Sequence, residues 1–218
     1  MLRLDQVQVT VRQITILRGV SLEVRPGTVA GLVGRNGAGK TTTLRTVMGL
    51  MPLTGGRIWY QGTELSSVPA HRRAALGIGY MPEDRRLIPS LTVQENLLLP
   101  AWANGFPDAE GRLETVYGWM PGLRAMAGRA AGQLSGGQQK LVALGRALVV
   151  GTRLLLLDEP FEGLAPALAD QLEDALREAV RQGRSVLLAE SEHHRVETLA
   201  DRVYVIERGE VFYAGRAE

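Results

Sequence analysis

The 218-residue chain contains no cysteine, which excludes disulfides, thiolate metal sites and cysteine nucleophiles. No stretch approaches the ~18 consecutive apolar residues needed to cross a bilayer. Met1 to Thr10 alternates apolar and polar residues, where a signal peptide would carry an apolar block. The chain is therefore expected in the cytoplasm, free or held at a membrane through a partner. Lysine is nearly absent, since Lys40 and Lys140 are the only two. The formal net charge is +2 and the basic residues form no long run, so no nucleic-acid partner is expected. Internal repeats and low-complexity segments are lacking as well.

What is present is a set of short apolar runs at Val29–Val33, Ile78–Met81, Leu154–Leu157, Val186–Ala189 and Val203–Ile206. Continuous runs of this length suit strands buried on both faces, as in a parallel sheet. Helical patterns alternate with them, at Thr42 to Leu50 and Ala167 to Arg181, which points to an α/β fold. The two chain ends differ. Leu2–Val11 and Ser21–Val24 alternate with period two, and Arg208-Gly209 separates two apolar runs as a hairpin turn would. A small antiparallel sheet beside the parallel core is expected from these segments. Between about Pro89 and Gly132 the pattern turns helical and richer in Gly, Pro and Trp, which reads as an inserted helical lobe. One domain over residues 1–218 follows, with a core of about 1–88 and 150–218 and a helical subdomain of about 89–149.

Gly34-Arg-Asn-Gly-Ala-Gly39-Lys40-Thr41 fits the phosphate-loop pattern G-x-x-x-x-G-K-[ST] in full, between a strand and a helical run. Glycines at 34, 37 and 39 let the backbone curl so that successive N–H groups, with those of Asn36 and Ala38, point at phosphates. The helix opening near Lys40 adds its positive end. Lys40 is expected on the β- and γ-phosphates, the Thr41 hydroxyl on Mg²⁺, and Thr42 on a further phosphate oxygen. Leu154–Leu157 ends in Asp158 and Glu159, which strand alternation sends in different directions. Asp158 is expected to hold Mg²⁺ against Thr41. Glu159 is expected to orient or deprotonate the water that attacks the γ-phosphate, as the catalytic group.

Ser135-Gly136-Gly137-Gln138, preceded by Leu134, opens a further helical pattern and offers a second phosphate-binding helix end. Two such grips in one chain make sense if two copies associate head-to-tail. Leu-Ser-Gly-Gly-Gln lying between a phosphate loop and Leu-Leu-Leu-Leu-Asp-Glu-Pro resembles the ABC ATPases over essentially the whole chain. The resemblance implies a P-loop NTPase core and a sandwich dimer with a second ATPase subunit. In it, Ser135, Gly136, Gly137 and Gln138 contact the opposite subunit's ATP. It also implies integral membrane permease partners met by the helical lobe.

Pro82-Glu-Asp-Arg-Arg86, Leu91–Leu97 and Glu162-Gly-Leu-Ala-Pro166 look like the shorter ATPase of branched-chain amino acid importers, with urea and amide importers close behind. That resemblance implies an indirect solute-binding protein partner and a place on the cytoplasmic face of the membrane. Three positions depart from the family pattern. Glu83 stands where a glutamine usually ligates Mg²⁺, Val11 where an aromatic ring usually stacks on adenine, and Ser191 where a switch histidine usually meets the γ-phosphate. His193 and His194 are expected to face solvent at a helix start, and His71 to lie on the surface. Trp102 and Trp119 are expected to pack in the core of the lobe. The alternative function is a soluble ATP-dependent dimerisation module with little hydrolysis.

Overall fold

The opening alternation folds into two long antiparallel strands, β1 (Leu2–Val11) and β2 (Ile14–Val24), in a computed structural model that describes residues 1–215. Residues 216–218 of the expected domain lie outside the described residues. The chain continues through β3 (Val29–Val33), α1 (Lys40–Val47), β4 (Gly55–Tyr60), β5 (Thr63–Glu64), α2 (Ala70–Arg73) and β6 (Ile78–Met81). Four helices follow: α3 (Val93–Ala103), α4 (Ala109–Trp119), α5 (Pro121–Ala125) and α6 (Gly136–Val150). The last third comprises β7 (Leu154–Asp158), α7 (Pro166–Arg181), β8 (Ser185–Glu190), α8 (His193–Leu199), β9 (Arg202–Glu207) and β10 (Glu210–Gly215). Local sequence sets several starts. Thr92 with Glu95 and Ser135 with Gln138 form reciprocal capping boxes for α3 and α6. Pro166 opens α7, where its missing N–H costs nothing.

The large sheet has the order β10-β9-β3-β8-β7-β6, parallel from β9 to β6. Every apolar run expected as a buried strand lies in it. The hairpin at Arg208-Gly209 forms, both residues taking positive φ, but it adds β10 antiparallel to this large sheet. The small sheet is instead β2-β1-β4-β5, so its second half comes from Gly55–Glu64, a segment that shows only two buried positions, Ile58 and Tyr60, within β4.

Alternation divides the large sheet's side chains between two cores. Leu154 and Leu156 join β1, β2 and α1 in one apolar cluster. Leu155 and Leu157 join α3, α4, α6 and α7 in the other. The register pairs Val33 with Glu190 and Asp158 with Ala189, so β3, β8 and β7 end side by side. Three loops far apart in sequence thereby meet at the carboxyl edge of the parallel strands, where open α/β sheets bind ligands. No helix of the described residues is long and apolar enough to cross a membrane.

Candidate active site

The three glycines of the loop serve different needs. Gly37 and Gly39 have φ of +80° and +119°, a region that side chains disfavour. Gly34 is required by contact instead, because a Cβ there would sit 2.3 Å from the Ile206 carbonyl oxygen. The loop borders a cleft of about 510 Å³ lined also by Ser191, His193 and the β9–β10 turn, within the usual range for small-molecule sites.

Lys40 is 5% exposed and its ammonium donates to the Gly34 carbonyl at 2.6 Å and to Ser191 Oγ at 3.2 Å. It also pairs with Glu159 Oε1 at 3.0 Å. Ser191 in turn donates its hydroxyl to Glu159 Oε1 at 2.5 Å and its backbone N–H to Oε2 at 3.0 Å. Its Oγ also lies 2.9 Å from Asn36 Oδ1. A hydroxyl has one proton, so with Glu159 taking it the Asn36 amide must turn its NH₂ toward Ser191. Ser191, at the position where the family usually carries a switch histidine, therefore sits at the centre of the loop's network. His193 and His194 are exposed at the start of α8 as expected, though His193 borders the cleft. His71 is exposed.

Asp158 ends β7 and accepts from the Thr41 hydroxyl at 3.0 Å, while its Oδ2 is buried with no partner. Burial pushes its carboxyl up to about 6, the Thr41 hydrogen bond opposes this, and the charges of Glu83 and Glu159 add to it. A hydroxyl beside a buried carboxylate with a free oxygen fits a hard divalent cation, which prefers oxygen ligands. Glu83 is exposed in a second cleft with Arg45, Lys140, Gly136 and Gly137. The loop carrying it is tied to α6, because Arg85 donates to Gln139 Oε1 at 3.0 Å and Arg146 to the Arg86 carbonyl at 2.7 Å.

Glu159 does not follow strand alternation. The chain leaves β7 with Glu159 at φ +49°, and this left-handed turn, which costs about 1 kcal/mol or more, swings its carboxylate to Lys40. Asp158 and Glu159 therefore converge on one loop through Thr41 and Lys40. Burial alone would raise Glu159, but hydrogen bonds from Glu190, Ser191 and Lys40 outweigh it and hold the carboxylate below its ordinary value. Glu190 and Lys140 were not singled out from sequence. Each could have been, Glu190 as an acid closing an apolar strand just as Asp158 does, Lys140 as one of two lysines.

Ser135 accepts from the Gln138 N–H at 3.3 Å and Gln138 Oε1 accepts from the Ser135 N–H at 3.0 Å. The Ser135 hydroxyl proton and the Gly136 and Gly137 N–H groups remain free to donate outward. Ser135 and Gly136 are exposed, and the cleft that Gly136 and Gly137 line shares no residue with that of the phosphate loop. Val11, paired with Ile14 at the end of β1, is half-buried. Trp102 departs from expectation. It is 49% exposed, whereas Trp119 stacks under the Arg184 guanidinium at 4.5 Å.

A glycine-rich loop between strand and helix, with an acidic strand end on the hydroxyl after its lysine, defines a P-loop nucleoside triphosphatase. The model of the ABC transporter family matches residues 17–162, and the chain belongs to that family. It is 38% identical over 211 residues to the high-affinity branched-chain amino acid transport ATP-binding protein BraG of Pseudomonas aeruginosa, covering 97% of this chain and 91% of that one. It is 33% identical to a probable branched-chain amino acid transport ATP-binding protein, LivF, of Archaeoglobus fulgidus, covering 100% and 92%. It is also 34% identical to the lipopolysaccharide export system ATP-binding protein LptB of Escherichia coli, covering 92% and 84%. Among solved structures, a nucleotide-free ATP-binding cassette from an ABC transporter superposes with a TM-score of 0.88 at 27% identity, covering 100% of this chain and 92% of that one. A dimeric bacterial ABC transporter cassette does so with a TM-score of 0.86 at 25% identity, covering 97% and 96%. The chain is thus an ATP-binding, ATP-hydrolysing subunit of an ABC transporter, a class whose architecture pairs two ATPase subunits with membrane permeases.

Proposed function

We propose that this ATPase drives an importer for branched-chain amino acids or related amides, held on the cytoplasmic face of the membrane by permease subunits and served by a solute-binding protein. The Pseudomonas and Archaeoglobus relatives, both branched-chain amino acid transport ATP-binding proteins by name, support this solute class, as does Gly163-Leu-Ala-Pro166 after the acidic strand. The Escherichia coli relative supports a second reading, lipopolysaccharide export. Uptake of labelled leucine by vesicles containing the chain and its permeases separates the two. ATP-dependent accumulation supports import, and its absence with an intact ATPase rejects it.

For the chemistry, what carries the proposal is Glu159, buried and bonded to both Lys40 and Ser191. The N–H groups of Asn36, Gly37, Gly39 and Lys40, with the Thr42 hydroxyl, cradle the phosphates, while those of Gly34 and Ala38 donate to the Glu190 and Arg35 carbonyls and hold the loop's shape. Lys40 passes its ammonium to the β- and γ-phosphates, which releases Glu159 from the ion pair. Ser191 keeps the freed carboxylate in place and presents its hydroxyl at the switch position. Glu159 then accepts a proton from the attacking water. Thr41 and Asp158, with Glu83, are the residues that would hold magnesium, which when bound neutralises charge building on the phosphate oxygens. Ser135, Gly136, Gly137 and Gln138 complete the site of a partner copy, so that ATP closes the dimer and hydrolysis reopens it. Glu159→Gln should lower turnover about 100- to 10,000-fold and yield an ATP-dependent dimer on size-exclusion chromatography. Unchanged turnover rejects the assignment.

A further inference from the structure

Lys140, the second of the chain's two lysines, lies one turn inside α6 from Gly136 and is 6% exposed. Its ammonium donates to the Glu159 carbonyl at 2.8 Å and to the Glu162 carbonyl, and it lies 4.0 Å from the Glu162 carboxylate. The two carbonyls bracket Glu159-Pro-Phe-Glu162, the turn by which the chain leaves β7. Because its hydrogen-bond partners are main-chain oxygens, what this buried cation fixes is the path of the chain. That path is unfavourable in isolation. Glu159 has φ +49°, which costs a residue with a side chain about 1 kcal/mol or more. It also precedes Pro160, and a residue before proline settles by preference into extended backbone. Two neighbouring elements hold it against both preferences. The Ala189 carbonyl of β8 accepts the Glu159 N–H at 2.9 Å, and among the described residues Lys140 is the donor to its carbonyl. Were the backbone to relax to an extended form, strand alternation would carry the Glu159 carboxylate to the face opposite Asp158, away from Lys40 and Ser191.

We propose that Lys140 is a positioning residue for ATP hydrolysis, which holds the Glu159 carbonyl and so locks the left-handed turn that keeps the Glu159 carboxylate at the phosphate loop. This rests on the reading of Glu159 as the catalytic group. Once Lys40 turns to the phosphates, the Glu159 carboxylate loses one partner and depends more on its own backbone for direction. Lys140 stands outside the loop that grips the phosphates, so binding of ATP does not need it. Arginine can take over the duty, because a guanidinium presents several donors. Arg184 already bridges a pair of carbonyls in this way, those of Leu148 and Gly151. Methionine, of similar length but without a donor, cannot.

The test compares Lys140→Arg and Lys140→Met in ATP hydrolysis, alone and in a Glu159→Gln background, with ATP affinity and melting temperature measured alongside. Lys140→Arg should keep kcat within about threefold of the parent. Lys140→Met should lose about 10- to 100-fold in kcat with KM for ATP and ATP affinity little changed, a split that general loosening of the fold would not produce. In the Glu159→Gln background the same change should cost under about twofold, because a residue that acts through Glu159 then has no carboxylate left to aim. Lys140→Ala replaces the methionine variant if the latter does not fold. Full kcat in the non-donating variant overturns the proposal, and so does a loss that persists undiminished in the Glu159→Gln background. An arginine variant that folds and binds ATP yet is as slow as the methionine one overturns it too. Undiminished turnover in Glu159→Gln alone would instead overturn the reading on which it rests.

Discussion

Two carboxyl groups and two ammonium groups, none more than 6% exposed, meet where β7 and β8 end. Burial on this scale is tolerated only with near-complete pairing, and the pairing has a consequence for stability. Burial and the neighbouring Glu159 push Glu190 up to about 8. Between its ordinary value near 4.5 and that value, the folded chain keeps a proton that the unfolded chain gives up. The stabilising contribution of this group is thus fully present below pH 4.5 and is lost as the pH rises through 8. Glu190→Gln removes the dependence. The variant should match the parent near pH 4.5 and exceed it by on the order of 2–4 kcal/mol at pH 8.5, read by urea denaturation at the two values. A gap that does not widen with pH would mean that Glu190 is ionised in the fold. The sequence showed Lys40, Thr41, Asp158 and Glu159 through fixed spacing within one loop or one strand end. Ser191 was legible only as a departure, and Glu190 only as an acid closing an apolar strand, because their roles come from β8 lying between β3 and β7, a neighbour relation that no local pattern encodes.

At the scale of elements, the helices bearing the phosphate loop and the Ser135 cap are each closed at the far end by a buried arginine. Arg73 donates to the carbonyls of Thr46 and Val47 at the end of α1, and to those of Leu65 and Val68. Arg184 donates to the carbonyls of Leu148 and Gly151 at the end of α6 and stacks on Trp119. A cation satisfies the orphan carbonyls of a helix C-terminus and opposes its negative end, which anchors both helices at the end away from ligand. Burial lowers Arg184 only to about 10, so it stays charged at neutral pH. Arg184→Ala should cost about 2–4 kcal/mol of unfolding free energy, whereas Arg181→Ala, in an exposed pair three residues apart along α7, should cost under about 1 kcal/mol. Equal losses in chemical denaturation would show that Arg184 is not a cap. Apolar runs made the strands of the large sheet legible, because burial on both faces leaves no polar position to interrupt them. These arginines were not legible, since their partners are main-chain carbonyls without a residue-type signature. Nor was β4, whose glycines and exposed residues mask its two inward side chains.

For the whole molecule, the separation of the two clefts is decisive. The phosphate loop opens with Ser191 into one, Gly136 and Gly137 into the other, with no lining residue in common. One chain can therefore present both half-sites to a second copy of itself, and a dimeric cassette of the same family shares its fold. Complementation tests this without a ligand-bound structure. Lys40→Ala removes the phosphate grip but leaves the α6 end intact. Gly136→Asp does the reverse, placing a carboxylate where phosphate would approach. That aspartate suits the first turn of a helix, and the nearest atom to a Cβ at Gly136 is a mobile arginine nitrogen at 3.4 Å, so the fold should hold. Each variant alone should be nearly inactive. Mixed in equal amounts, half of all dimers carry one copy of each, and in those one composite site is whole. Recovery of about a quarter of the parent's turnover per chain follows if sites act independently. Recovery that depends on mixing and on ATP establishes head-to-tail pairing of identical chains. A mixture no more active than its parts, with both variants folded, would mean that this chain does not complete its own site and that a different ATPase subunit supplies the missing helix end.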